Sequence, residues 1–185
     1  MSAGPLLVTG STGFVGSYLV PALLAEGFAV RAFVRDPERG RTLAGAGATL
    51  ARGDITDRES LRLAVRGVQA VIHLAAVGDS SDPALNERVN VGGTAHLAAA
   101  MASEGVTRVV NVSTTCAGRA LRDAYGDTKL RAEAELDRTP SLRITHLRPA
   151  MIYGRGSKEW DIFAMAVRHL PRVPLPAGGR FLLRP

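Results

Sequence analysis

The chain has 185 residues, 46% of them hydrophobic, which is enough for one α/β domain with its own core and too apolar for a disordered chain. Its net charge of +6 is scattered through every predicted element, with no basic run and no aromatic interleaving, and this argues against a nucleic-acid footprint. One cysteine, Cys116, excludes an internal disulfide and a multi-cysteine metal site, and no apolar run is long enough to cross a bilayer.

The N-terminus enters a strand at once and leaves no room for a signal peptide, so a cytoplasmic location is expected. Leu6-Leu7-Val8 ends in Thr9, glycines follow at 10, 13 and 16, and an amphipathic stretch runs from Phe14 to Glu26. This reads as strand, tight turn, helix. The helix's free N–H groups form a ready site for a pyrophosphate. The spacing Gly-x-x-Gly-x-x-Gly differs from the commoner Gly-x-Gly-x-x-Gly, so the turn alone also fits other α/β proteins.

Ala29 to Val34 is a second strand, stopped at Pro37, and a basic, glycine-rich connection spans Glu38 to Gly47. A third strand, Thr49 to Arg52, leads into Gly53-Asp54. Thr56 is expected to cap the next helix, with Glu59 reaching back in a capping box. Ala70 to Leu74 is apolar on both faces, as a central parallel strand would be. After a polar loop, Gly78 to Pro83, one Ala-rich helix is expected from Ala84 to Ser103. Arg108 to Ser113 is a fifth strand, 114 to 122 a loop, Tyr125 to Arg138 a helix and Ile144 to Leu147 a sixth strand. Trp160 to Leu170 reads as a helix, and Phe181 to Leu183 as the start of a strand. The alternation predicts a doubly wound parallel sheet with helices on both faces, a three-layer αβα fold with its ligand site beyond the carboxyl ends of the strands.

Seven short motifs occur in order: Thr9-Gly10-x-x-Gly13-x-x-Gly16, Gly53-Asp54, His73-Leu74-Ala75-Ala76, Asn90-Val91-x-Gly93-Thr94, Val112-Ser113-Thr114, Tyr125-x-x-x-Lys129 and Leu147-Arg148-Pro149. With them the chain resembles the extended and atypical short-chain dehydrogenases/reductases, the NAD-dependent epimerase/dehydratase family. The resemblance implies a Rossmann domain over residues 1–150 and the opening of a substrate-binding part over 151–185. It implies transfer of hydride between a nicotinamide and a hydroxyl or carbonyl carbon of a small molecule such as a sugar nucleotide or hydroxy-ketone. It leaves room for a homodimer. Tyr125 would move the substrate proton, Lys129 would stabilise its phenolate and bond the nicotinamide ribose, and Thr114 would orient the substrate oxygen. Residues four apart on a helix share a face, and a nearby cation favours the phenolate. Of the 23 basic residues only Lys129 and Lys158 are lysines, so an Arg-rich chain keeps a lysine here.

The cofactor residues implied are Gly10, Ser11, Thr12, Gly13, Phe14, Val15 and Gly16 from the turn, then Arg35, Asp54, Ile55, Leu74, Ala75, Ala76 and Asn90, with Tyr125 and Lys129. No metal is implied. Arg35, at the end of the second strand, suits a 2′-phosphate and favours NADP, with NAD as second choice should Asp36 take the ribose instead. Ser113 or Thr115 could stand in Thr114's register. Asp54 could be a turn former, Asn90 a plain helix residue, and His73 is read as a histidine satisfied by backbone.

The chain departs from the family pattern in three places. Only ten residues separate Thr114 from Tyr125, and Cys116-Ala117-Gly118 stands where the longer members carry Val-Tyr-Gly. Thr115-Cys116 replaces the Asp-Glu pair of sugar-nucleotide dehydratases, which argues against that elimination. The chain as given closes at Leu182-Leu183-Arg184-Pro185, where family members continue. An enzyme and a non-catalytic NADP-binding sensor or structural subunit are the two classes left open.

Overall fold

The computed structural model describes residues 4–78, 82–120 and 123–169. Six strands, β1 (Leu6–Thr9), β2 (Val30–Val34), β3 (Thr49–Arg52), β4 (Ala70–His73), β5 (Arg108–Val112) and β6 (Arg143–Leu147), form one parallel sheet in the order β3-β2-β1-β4-β5-β6. The order reverses between β1 and β4. That is the crevice where an open α/β sheet takes its ligand.

Among the described residues seven α-helices connect and follow the strands: α1 (Phe14–Ala25), α2 (Arg41–Gly45), α3 (Arg58–Val65), α4 (Pro83–Asn86), α5 (Gly93–Ser103), α6 (Ala124–Asp137) and α7 (Lys158–His169). Successive side chains of a strand point to opposite faces. Leu7 therefore joins a core with Leu61, Leu97, Met101, Val109 and Leu136, while Val8 joins a second core with Val20, Ala32 and Leu43. Helices α3, α5 and α6 cover the first face, and α1 and α2 the second. This is the three-layer Rossmann arrangement the alternation predicts.

Three local expectations need correction. The connection Glu38–Gly47 is helical, with a 3₁₀ turn at Glu38–Gly40 running into α2. The cap of α3 is Asp57, whose carboxylate accepts from the Glu59 N–H at 3.1 Å. Thr56 is engaged with Asp54 instead, and the Glu59 carboxylate pairs with Arg62. The helix expected from Ala84 to Ser103 starts at Pro83 and is interrupted by a π-helical turn, Glu87–Gly92, between α4 and α5. The strand expected at Phe181–Leu183 lies outside the described residues.

The chain divides into two units, with the break between Arg148 and Pro149. In the second unit α7 carries exposed Trp160, Ile162, Met165 and Val167, and Tyr153 stacks on Trp160 with ring centroids 5.5 Å apart. No helix of the described residues is long and apolar enough to cross a membrane.

Candidate functional site

The glycine turn brings α1 down onto the end of β1. Gly10 has φ of +67°, and a Cβ there would lie 2.7 Å from the Ala75 nitrogen at the end of β4. Both the conformation and the space exclude a side chain. A Cβ at Gly16 would lie 2.5 Å from the carbonyl oxygens of Gly10 and Ser11, so α1 can begin this close to the turn only without one. Gly13 caps α1 without a side-chain hydrogen bond, and no acidic residue stands in the first turn. The N–H groups at the start of α1 keep their capacity to bind an anion.

A cleft of about 200 Å³ opens beyond this turn. Of the expected cofactor residues, Gly10, Thr12, Gly13, Arg35, Asp54, Ile55, Leu74, Ala75 and Ala76 line it. Ser11, Phe14, Val15, Gly16, Asn90, Tyr125 and Lys129 do not. Ser11 is fully buried and its hydroxyl donates to the Phe33 carbonyl at 3.0 Å, tying the turn to β2. The Phe14 ring packs edge-on against Tyr18. Phe33, Arg39, Val77 and Val89 complete the wall. Arg39 lies in the 3₁₀ turn Glu38–Gly40, where the sequence reads as a glycine-rich connection. Val89 lies on the π turn, which no pattern in the sequence announces.

Asp54 receives the Thr56 N–H at 2.8 Å and the Thr56 hydroxyl at 2.7 Å on one carboxylate oxygen. Burial pushes this carboxyl up, but those two hydrogen bonds, with the charges of Arg35 and Arg88, hold it below its ordinary value. It is a carboxylate of the cleft wall under the charge of two guanidinium groups, of which Arg35 also lines the cleft.

Behind the cleft runs a chain of buried hydrogen bonds. Thr94 donates to the Asn90 carbonyl at 2.6 Å, so its oxygen accepts from His73 Nε2, 3.0 Å away. His73 Nδ1 then accepts from the Thr9 hydroxyl at 2.7 Å, and Thr9 in turn accepts from the Ala75 N–H at 3.3 Å. The donors thus fix a neutral imidazole protonated on Nε2. His73 is satisfied, as expected, but by two threonine hydroxyls rather than by backbone. Burial, with the Lys129 charge adding to it, pushes the ring down to about 3. The Asn90 side chain accepts from the Val77 N–H at 2.8 Å and donates to the Val77 carbonyl and to Thr128, both at 3.1 Å. It pins the cleft wall after β4 to α6.

Helix α6 starts on the carboxylate of Asp123, which accepts from the Gly126 N–H at 2.7 Å. Tyr125 is half-buried in the first turn, and Lys129 follows one turn later, only 2% exposed. Lys129 Nζ donates to the Val112 carbonyl at the end of β5, at 2.9 Å. Burial pushes this ammonium down to about 8, with the Glu133 charge acting the other way. Thr114 follows β5 and is nearly buried. Its hydroxyl oxygen accepts from the Cys116 N–H at 3.2 Å and caps the 3₁₀ turn Thr115–Gly118. A Cβ on Gly126 would lie 2.9 Å from the Cys116 carbonyl oxygen, so the first turn of α6 rests directly on the turn that Thr114 opens. Tyr125, Lys129 and Thr114 therefore come from adjoining elements at the carboxyl end of β5. No cluster of metal-ligating side chains occurs among the described residues.

Fold and site define a dinucleotide-binding α/β protein with its crevice at the carboxyl end of a parallel sheet. The family model for NAD(P)H-binding proteins matches residues 10–165. The chain belongs to that family, as a short-chain dehydrogenase/reductase of the NAD-dependent epimerase/dehydratase type, a group of oxidoreductases and epimerases. It is 31% identical to the 4-hydroxy-2-methyl-3-oxo-4-farnesyl-3,4-dihydroquinoline-1-oxide ketoreductase of Stigmatella aurantiaca, over 95% of this chain and 58% of that protein. It is 31% identical to the UDP-glucose 4-epimerase of Vibrio cholerae, over 94% of this chain and 59% of that protein. The chain thus spans under three fifths of the length of either relative. Among solved structures, MoeE5 in complex with UDP-glucose and NAD superposes with a TM-score of 0.77 at 28% identity, over 89% of this chain and 60% of that one.

Proposed function

We propose that the chain is the cofactor-binding part of an NADP(H)-preferring oxidoreductase that transfers hydride to or from a carbonyl or hydroxyl carbon of a small molecule. In this reading residues 1–150 form the cofactor domain and 151–185 open a substrate-binding part. The observation that carries it is the burial of Lys129 one helical turn after Tyr125. An ammonium held out of water against a backbone carbonyl is expensive, and its use is to set charge at the reacting centre.

A nicotinamide nucleotide lying along the Gly10–Gly13 turn would supply or accept the hydride. Tyr125 carries the proton: its phenol protonates the substrate oxygen on reduction and takes the proton back on oxidation. Lys129 favours the phenolate through its charge. Thr114 receives the Cys116 N–H on its oxygen and has its own O–H left to orient the substrate oxygen. Two features support NADP over NAD. Arg35 and Arg39 both line the cleft, and guanidinium groups grip phosphate. The Asp36 carboxylate accepts from the Glu38 N–H at 3.0 Å and is not among the residues that line the described cleft.

The test pairs two titrations with a panel of carbonyl substrates. NADPH should bind more tightly than NADH, and Arg35→Ala and Arg39→Ala should each erode that preference. Equal affinity for the two cofactors, or a preference indifferent to both substitutions, removes the NADP assignment. Tyr125→Phe should keep cofactor affinity and lose turnover. A protein that binds NADPH and reduces nothing on the panel, alone or within a longer chain, is a binding protein instead.

A further inference from the structure

Glu133 lies one turn beyond Lys129 on the face of α6 that carries Tyr125, and it is only 3% exposed. A carboxylate at this depth needs a partner, and Arg148, directly after β6, supplies one through two nitrogens, with Nε 3.0 Å from Oε1. Arg148 also reaches the turn that Thr114 opens, since a Cβ on Gly118 would stand 3.5 Å from its Nη1. One guanidinium therefore touches the helix of Tyr125 and Lys129 and the turn of Thr114.

We propose that Glu133 is a positioning residue of the candidate active site: its carboxylate, clamped by Arg148, is the buried counter-charge that keeps the Lys129 ammonium charged and seated against the end of β5. This rests on the oxidoreductase reading only for its use, and not for its test. The charged and titratable groups around the pair come from three strands and one helix. Arg148 and His146 face Glu133 from β6 and its end, Ser113 from the end of β5, and Asp137 bonds His146 from α6 itself. His73, on β4, lies close enough to Lys129 to be influenced by its charge. Burial raises the Glu133 carboxyl, but the hydrogen bonds from Arg148 and Ser113, with the charges of Arg148 and His146, together hold it below its ordinary value. The partial neutralisation by Arg148 also weakens what Lys129 feels. Glu133 and Arg148 thus bear on Lys129 with opposite signs.

That opposition makes the test specific. The chain has two lysines, so protein labelled with ¹³C-lysine gives two Cε resonances, and Lys158→Arg leaves Lys129 alone. The Cε shift is followed against pH in the full chain without cofactor. Its midpoint in the wild type is expected near 8. Glu133→Gln keeps the shape and removes the charge, and should lower the midpoint by ~0.5 pH unit or more. Glu133→Asp should recover part of the shift. Arg148→Gln frees the Glu133 charge and should raise the midpoint. An unchanged midpoint in folded Glu133→Gln overturns the proposal, as does a shift in the same direction for Glu133→Gln and Arg148→Gln, which would report general loosening. Should Arg148→Gln not fold, the Gln and Asp variants of Glu133 decide it alone. A failed NADPH titration would count against the oxidoreductase reading and leave this result standing.

Discussion

His73 holds its neutral form between two threonine hydroxyls, and this makes stability depend on pH. Its ring sits near 3 in the folded chain against 6.5 when exposed. The unfolded state therefore takes up a proton below 6.5 that the folded state refuses. The stability His73 contributes is complete above pH 6.5 and declines as pH falls toward 3, at ~1.4 kcal/mol per unit. The carboxylates held low, Asp54, Glu59 and Glu133, start from ordinary values of 3.8 to 4.5 and add to the loss only nearer pH 4. Between pH 6.5 and 5 the slope thus belongs mainly to His73. Urea unfolding at pH 7, 6 and 5 should give a falling midpoint in the wild type and a flatter one in His73→Gln. Equal slopes would mean that the imidazole is protonated in the folded state. The Tyr125 prediction belongs to the same scale. Phenylalanine keeps the ring and removes the proton carrier, so turnover with NADPH should drop by ~10²–10⁴ while the cofactor titration stays unchanged.

At the scale of elements, the contact between α6 and the Thr115–Gly118 turn is the joint on which Tyr125 and Thr114 meet. Gly126→Ala gains helix propensity of ~1 kcal/mol and forces a Cβ to 2.9 Å from the Cys116 carbonyl, an overpacking worth ~1–3 kcal/mol. The second effect should win. Thermal unfolding should show a net loss of up to ~2 kcal/mol, and turnover should fall more than NADPH affinity. A variant as stable and as active as the wild type would mean the two elements separate freely. This joint also marks what the sequence could and could not disclose. The strands were legible because their apolar runs are short and bounded by turn residues, and all six begin within one residue of expectation on the strength of that alone. The turn Gly10–Gly16 was legible because only glycine fits it. The cap of α3 was misread because Thr56 and Asp57 are both good caps, and the competition was decided by Asp54, two residues earlier, which engages the Thr56 N–H and hydroxyl in a local turn. The π turn was invisible because α and π segments share one composition. Arg39 was missed because its segment read as a glycine-rich connection, whose helical turn brings it back beside Arg35. Asn90 was assigned to the cofactor, and it serves the wall through Val77 because the π turn directs it there.

For the whole molecule, the proposed function assigns the two units two tasks. Every residue lining the described cleft lies between Gly10 and Val89, within the first unit. Substitutions in α7 of the second unit should therefore leave cofactor affinity within ~2-fold, as sites without shared partners act independently. Ile162→Ala and Met165→Ala, both at exposed positions, are suitable probes. Their NADPH affinity should match the wild type, while their selectivity across a carbonyl panel should change. A large loss of NADPH affinity in either would mean that the second unit helps to form the cofactor site.

The wide turn Glu87–Gly92 climbs the same distance as an α-helical turn with one residue more. A chain one residue shorter there can close its hydrogen bonds as an unbroken α-helix, so the deletion meets no steric veto from the helix itself. What changes is local. The wide turn and an α turn each complete one revolution, so the helix on either side keeps its phase, and only the residues of the turn itself, Val89 in the cleft wall and Asn90 on Val77, lose their present placement. The one extra residue is therefore what places Val89 and Asn90 at this wall, and a single-codon deletion is expected to alter that stretch of the cleft while the helices on either side stay in register.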